Sequence, residues 1–375
     1  MKIGILTLPL QANYGGLLQA YALQTILERM GHSVEVIVKS RYRRVPSWKK
    51  PFLYSSRLAR KLFLHQQVAL REEEAFNRML DKLKNRQKLT DVFVNEYIHT
   101  LPIEKFSEIK DGEFNAFVVG SDQIWRTKYA ESMMQSTKDA YLYFARKWNG
   151  IKRVAYAASF GTDEWEYSTK NTVICRELIK KFDAVSVREQ SGIGLCKQYL
   201  NYDQAVFMVD PSMLLDKEDY IRLADKSNCE HFSGGIFSYF LDNDETTKKM
   251  EHYSEIAYNS KVFRLKENDQ NNPFAPLKPV ETWLRAFQDA EVVITDSFHA
   301  CAFAIIFNKP FWVVGNESRG LARFNSLLGM FGLEKRMVKD AGGIKPNVTI
   351  DWGAINNKRQ MLKGQSLSFL SVNLN

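Results

Sequence analysis

Short apolar runs, each about the length of a strand and each followed by a stretch with helical spacing, recur along the whole chain. In the first half, residues 2–8, 33–38, 114–119, 153–158, 184–187 and 206–209 are predicted strands, with helices over 17–30, 69–83 and 171–182. In the second half, strands are predicted at 235–240, 261–265, 291–295 and 310–314, with helices at 244–258, 280–289, 298–307 and 322–331. Strands that are apolar on both faces and separated by helices of this length build parallel sheets through right-handed crossovers. The expected class is therefore α/β, with two Rossmann-like parallel-sheet domains facing a cleft. At 375 residues the chain is long enough for two such units. The first is expected to span 1–212 and to end at Asp210-Pro211, and the second to span 213–352. A C-terminal helix and tail, 353–375, would pack across the junction, with the helix over 353–365.

Composition removes other classes. Apolar residues at 45% and charged residues at 25% are a globular mix, not that of a disordered or fibrous chain. No apolar run approaches the ~20 residues of a membrane-spanning helix. The opening Met1-Lys2-Ile3-Gly4-Ile5-Leu6-Thr7-Leu8-Pro9 reads as a first strand and not as a signal peptide. Cys175, Cys196, Cys229 and Cys301 are scattered without a ligand pattern, which fits reduced thiols and no metal site. These features describe a soluble cytoplasmic protein.

The net charge of +9 is unevenly placed. All of the excess falls in the first hundred residues, within a basic insertion at 39–88. Between Lys39 and Lys61 stand nine cations and no carboxylate, interleaved with Tyr42, Trp48, Phe52, Tyr54 and Phe63. Cations mixed with rings suit an anionic membrane surface, on the cytoplasmic face of the inner membrane, or else form a solvated loop. No nucleic-acid motif accompanies them, so nucleic acid is not expected as a partner.

Polar residues gather where apolar strands stop, which is where open α/β sheets bind ligands. Asn13-Tyr14-Gly15-Gly16 leads from the first strand into the first helix, where free N–H groups attract anions. Gly120-Ser121-Asp122-Gln123-Ile124-Trp125 follows a strand; Asp122 and Gln123 suit sugar hydroxyls, and Trp125 suits the face of a sugar ring. Val187-Arg188-Glu189 offers a guanidinium for a carboxylate or phosphate. Thr295-Asp296-Ser297-Phe298-His299 places an imidazole at a helix start, with Asp296 near enough in sequence to orient it for acid–base work. Beyond the next strand, Asn316, Arg319 and Arg323 make an anion site if the helix begins early. No metal-ligand cluster is evident.

In this order these segments, together with Tyr156-Ala157-Ala158-Ser159-Phe160-Gly161 and Val209-Asp210-Pro211, resemble the polysaccharide pyruvyl transferase family along nearly the whole chain. The resemblance implies a GT-B-like fold, with the first domain on the acceptor side and the second on the donor side. It also implies transfer of the enolpyruvyl unit of phosphoenolpyruvate, a co-substrate in place of any cofactor, to two hydroxyls of a sugar. A galactose-type sugar, free or carried on a lipid diphosphate, is the expected acceptor. What the resemblance carries over is a His with Arg residues at the donor site, falling on His299, Arg188 and one of Arg319 or Arg323; with Asp296 from its place beside the His, the catalytic candidates are His299, Asp296 and Arg188. Arg188, Ser297, His299, Asn316, Arg319 and Arg323 are the donor-binding candidates. Asn13, Tyr14, Gly15, Gly16, Asp122, Gln123 and Trp125 are the acceptor-binding candidates. One departure stands out: some better-known members carry an Arg two residues before the His, where this chain has Ser297. Two other readings stay open at this level. One is a nucleotide-sugar-dependent GT-B glycosyltransferase; the other is a non-catalytic sugar- or membrane-binding relative.

Overall fold

The computed structural model describes residues 1–42, 47–63, 71–134, 136–226, 229–242, 244–265, 274–315 and 321–375, with side chains omitted at 72, 132 and 133. Its strands are β1 (Lys2–Leu6), β2 (Ser33–Lys39), β3 (Thr100–Ile103), β4 (Ala116–Val119), β5 (Lys152–Ala158), β6 (Ala184–Val187), β7 (Val206–Phe207), β8 (Ile236–Tyr239), β9 (Val262–Phe263), β10 (Val292–Thr295), β11 (Phe311–Val314) and β12 (Met337–Val338). Its helices are α1 (Tyr14–Arg29), α2 (Lys50–Phe63), α3 (Glu72–Gln87), α4 (Thr90–Tyr97), α5 (Thr127–Tyr129), α6 (Thr169–Ile179), α7 (Gln190–Leu200), α8 (Lys217–Lys226), α9 (Glu245–Tyr258), α10 (Val280–Asp289), α11 (Phe298–Ile306), α12 (Ala322–Phe331) and α13 (Trp352–Leu374).

The strands form two parallel sheets. The first has seven strands in the order β3-β2-β1-β4-β5-β6-β7, and the second has five in the order β12-β11-β10-β8-β9. The chain reverses direction across the first sheet between β1 and β4, where Leu6 pairs with Val119. It reverses across the second between β10 and β8, where Thr295 pairs with Tyr239. At such a switch point the two flanking loops diverge to opposite faces and leave a crevice at the strands' carboxyl ends. The α/β class and the two parallel sheets expected from the sequence are what the chain adopts.

Boundaries differ in instructive places. Helix α1 begins at Tyr14 and not at Leu17, because Asn13 is extended and its Oδ1 accepts the Gly16 N–H (3.3 Å). Such a cap is worth ~1 kcal/mol, and it draws Tyr14, Gly15 and Gly16 out of the expected loop into the first helical turn. Strands β3 and β12 lie at sheet edges, where pairing on one side alone demands little apolar pattern. Helix α13 runs well past the expected 353–365. Asp351 caps it by accepting from Ala354 N–H (3.0 Å). Arg359 donates to the Ile306 carbonyl of α11 (3.1 Å), and Phe369 then meets Tyr156 of β5 with ring centroids 6.3 Å apart. One apolar cluster accordingly contains Ile5, Leu18 and Tyr156 together with Trp283, Phe303, Leu370 and Leu374.

Among the described residues, no helix is long and apolar enough to cross a membrane. Cys175, Cys196, Cys229 and Cys301 are all unbridged.

Candidate active site

A cavity of about 660 Å³ opens where both switch points face each other. The half built on the seven-stranded sheet, called the first domain below, contributes Asn13, Gln19, Asp122 and Gln123; the half built on the five-stranded sheet, called the second, contributes Tyr239, Asp296, Ser297, Phe298, His299 and Arg323. The basic insertion forms a third wall through Lys39, Arg41, Tyr42, Leu83 and Lys84. The end of α3 is bonded to the second domain: Leu277 N–H donates to the Arg86 carbonyl (3.0 Å) and Asn85 Nδ2 to the Phe274 carbonyl (3.0 Å).

His299 is placed by the turn that starts α11. Ser297 is its N-cap, accepting from Ala300 N–H (3.4 Å), while Ser297 N–H donates to Thr295 Oγ1 (2.9 Å). The imidazole lands in the first helical turn, buried, against Gly15 in the first turn of α1. A Cβ on Gly15 would stand 2.0 Å from His299 Cγ and 2.2 Å from Nδ1. The two helix starts touch through a position where a hydrogen alone fits. Gly15→Ala is therefore expected to push the ring aside or part the domains, lowering turnover at least tenfold and stability by ~1–3 kcal/mol. Gly16→Ala meets only the Asn13 side chain, 3.0 Å from Nδ2 and 3.3 Å from Cγ, and is the milder comparison for packing, although Gly16 also borders the cavity. Steady-state rates and urea melts of both variants check this; wild-type behaviour of Gly15→Ala would show that the ring has other room.

Tyr14 has a place other than the acceptor site expected for it. Its ring stacks on Trp283 (5.4 Å, 18°) and its hydroxyl donates to the Lys278 carbonyl (2.9 Å), so it joins the domains as a buried bolt. Trp125 also departs from expectation. It has no exposed surface; its indole N–H donates to the Ala140 carbonyl (3.1 Å) and its ring stacks on Tyr141 (4.7 Å, 6°). Inside the first domain's core it has no face to offer a sugar. Asp122 and Gln123 do reach the cavity, Gln123 with its Oε1 accepting from Arg126 (3.1 Å).

Arg188 is the centre of a buried charge cluster. Its guanidinium donates to Asp210 (2.7 Å) and Glu189 (3.2 Å) and stands 3.7 Å from Asp122. Burial by itself would lower its pKa, but those three carboxylates outweigh burial and hold it above its ordinary value. Arg188 is 3% exposed and does not line the cavity, in contrast to the open donor-binding position expected of it. A guanidinium this deep needs its carboxylates to remain charged. Arg323 does line the cavity. Burial, then repulsion from Arg188, pulls its pKa down to about 10, which leaves it charged at neutral pH. Both guanidinium groups lie over the Phe298 ring, at 4.5 Å for Arg188 and 5.7 Å for Arg323.

The carboxylate beside His299 is Asp210, 3.8 Å from Nε2, and Nε2 makes no hydrogen bond among the described residues. Asp296, the neighbour expected to orient the ring, instead accepts from the N–H groups of Leu241 (2.7 Å) and Asp242 (3.4 Å), fixing the loop after β8. Asp210 is itself held by Ser212, through N–H (3.0 Å) and Oγ (2.7 Å), and by Ser121 Oγ (3.3 Å). Burial lowers the His299 pKa below its ordinary value; Asp210 and Asp122 oppose that shift, and Arg188 and Arg323 reinforce it. With its pKa held below the ordinary imidazole value, the ring by itself favours the neutral form at pH 7. Asn316 and Arg319 lie outside the described residues.

Two site residues carried a signal that the sequence reading did not use. Asp210 enters the sequence reading as a domain end and as part of a family-like segment, with no role for its carboxylate. Gln19 sits among Leu17, Leu18 and Ala20 in the apolar first half of α1; it donates to Thr7 Oγ1 (3.0 Å) and accepts from Ser121 N–H (3.2 Å), tying the end of β1 to the turn after β4. A lone amide in an apolar stretch has to be bonded inside. Among the described residues, no group of three His, Cys, Asp or Glu side chains could hold a metal ion.

The chain is similar in fold to a UDP-GlcNAc 2-epimerase from Neisseria meningitidis, with TM-score 0.50 and 10% identity over 100% of this chain and 99% of that one. It is also similar to Arabidopsis thaliana UGT89C1 complexed with quercetin, with TM-score 0.47 and 11% identity over 99% and 98% of the two chains. A search of curated protein sequences gave no match. The family model for polysaccharide pyruvyl transferase matches residues 13–318, which include Asn13, Asp122, Arg188, Asp210 and His299. With that match covering most of the chain, ten of the twelve strands and most of the cavity lining, the chain belongs to the polysaccharide pyruvyl transferase family.

Proposed function

We propose that the protein transfers the enolpyruvyl unit of phosphoenolpyruvate to two hydroxyls of one sugar, forming a pyruvate ketal and releasing phosphate. The observation that carries this reading is the meeting of three groups around Phe298: His299 and Arg323 on the cavity wall, and Arg188 buried behind it. A non-catalytic relative has no need of a buried imidazole beside two guanidinium groups. Phosphoenolpyruvate carries a carboxylate and a phosphate, and Arg323 is the described donor-side cation on the cavity wall that meets them. Arg188 acts from behind, fixing Asp210 and with it the field at His299.

The steps balance as follows. His299 as imidazolium gives a proton to the methylene carbon of the donor, leaving an oxocarbenium-like C2. One sugar hydroxyl adds to C2, and its proton restores the imidazolium. The C2–O bond to phosphate breaks, the second hydroxyl closes the ketal, and its proton leaves with phosphate. A general acid of this kind contributes ~10²–10⁴-fold. Substrate supplies the charge that burial disfavours: a polyanion beside the ring stabilises the imidazolium and raises the pKa that burial lowers. The cavity is larger than a three-carbon phosphate requires, which leaves room for a sugar against Asn13, Asp122 and Gln123. A galactose-type acceptor is the first class to try. A reaction that draws on phosphoenolpyruvate belongs in the cytoplasm.

The test is to incubate the protein with phosphoenolpyruvate and a panel of galactosides. Released phosphate and an acceptor mass gain of one pyruvate less one water are the readouts. The pH profile adds a second check. The basic limb of kcat/KM for the donor reports the free enzyme and is expected at lower pH than the limb of kcat, which reports the occupied site. Coincident limbs would remove the substrate-induced protonation. No phosphate release with any acceptor, together with consumption of a nucleotide sugar, would replace this reading by glycosyl transfer.

A further inference from the structure

Helix α2 turns its apolar side outward. Phe52, Leu58, Ala59, Leu62 and Phe63 fall on one arc at helical spacing, and all are exposed, Phe52 at 80% and Phe63 at 81%. Trp48, in the short turn before the helix, is 76% exposed. The opposite side is the one that packs. Arg57 makes a two-pronged ion pair with Glu73 of α3 (2.6 and 2.7 Å), and Tyr54 hydroxyl donates to Glu74 (3.1 Å). A helix on a water-facing surface does the reverse, covering its apolar arc and showing its charges.

The charges around the arc say what covers it. Lys49, Arg60 and Lys61 are exposed beside it, and no carboxylate occurs between Lys39 and Lys61. A second copy of this chain is a poor occupant, because it would set those cations against their own images. An anionic bilayer complements them: rings settle at headgroup depth and cations among the phosphates. We propose that Trp48 and the outward arc of α2 form a monotopic anchor that docks on an anionic lipid surface.

The anchor and the cavity share one body. Glu73, which holds α2, and Leu83, which lines the cavity, lie on the same helix, ten residues or about 15 Å apart. The site is therefore held within a short reach of the lipid, an arrangement suited to a sugar carried on a lipid diphosphate. This goes beyond the pyruvyl-transfer reading. Binding is measured without turnover, so either can fail while the other stands.

The experiment is sedimentation with vesicles of pure phosphatidylcholine or of phosphatidylcholine containing a third phosphatidylglycerol. Wild type is compared with Phe52→Ser/Leu62→Ser/Phe63→Ser and with Lys49→Ser/Lys50→Ser/Lys61→Ser. Wild type is expected to partition onto anionic vesicles at least tenfold better than onto neutral ones, less so in 1 M salt, where the Debye length shrinks to ~3 Å. Each variant is expected to lose at least tenfold in partition with an unchanged melting curve. Brominated lipids should quench wild type more than Trp48→Phe. Failure of wild type to sediment on anionic vesicles, or equal sedimentation of the charge variant, would overturn the proposal. So would a wild-type dimer in light scattering that the apolar variant dissolves, since a second copy would then be the occupant.

Discussion

Replacing His299 by Gln is expected to lower phosphate release from phosphoenolpyruvate by ~10²–10⁴-fold while leaving the protein folded. Glutamine fills much of the imidazole's space in the first turn of α11, where Ser297 still caps the helix, and it keeps a polar atom near Asp210. It cannot deliver a proton to carbon. The melting temperature is therefore expected to move by only a few degrees while the rate collapses, a combination that separates a chemical role from a packing role. Phosphate release at the wild-type rate from the folded variant would remove His299 from the chemistry.

Asp210→Ala has the largest expected effect on stability. Its carboxylate is 2% exposed and accepts from Arg188, Ser121 and twice from Ser212. Burial would raise its pKa, yet Arg188, His299 and Ser212 hold it below the ordinary carboxylate value. Taking one partner from a buried pair costs ~3–5 kcal/mol, because the other charge stays behind. Against a total stability of ~5–15 kcal/mol this is a large fraction, and the urea midpoint should fall accordingly. Asp210→Asn retains acceptors but not the charge, so it should be milder. It also withdraws the carboxylate that supports the His299 cation, so the basic limb of kcat should move to lower pH. Urea midpoints unchanged in both variants would mean that Glu189 and Asp122 suffice for Arg188.

The positions of the cavity-lining residues were readable because chemistry and topology coincide at strand ends. The apolar runs 114–119 and 291–295 stop in Gly-Ser-Asp and Asp-Ser, and a parallel sheet delivers such stops to one edge. His299 and Asp122 could be singled out without coordinates for that reason. What strand ends do not tell is which way a side chain turns. Trp125 follows Asp122 by three residues and points into the core, while Tyr14 follows Asn13 by one and crosses into the other domain. Nor does local pattern contain the pairing of distant segments. Asp210 and His299 are far apart in sequence, and only the folded junction sets them 3.8 Å apart. Gly15 illustrates the limit best: as a glycine before a helix it suggested an open anion-binding turn, whereas its value lies in the imidazole of another domain that rests against it.

The return of α13 to the first sheet has a consequence in time. Ribosomal synthesis delivers residues 2–207, with every strand of the first sheet, before any of the second sheet exists. Yet Leu370 and Leu374 belong to the same apolar cluster as Tyr156 and Ile5. The amino-terminal domain must wait, with part of its interior uncovered, while residues 208–351 are made and α13 arrives. The domain that emerges first is the one completed last.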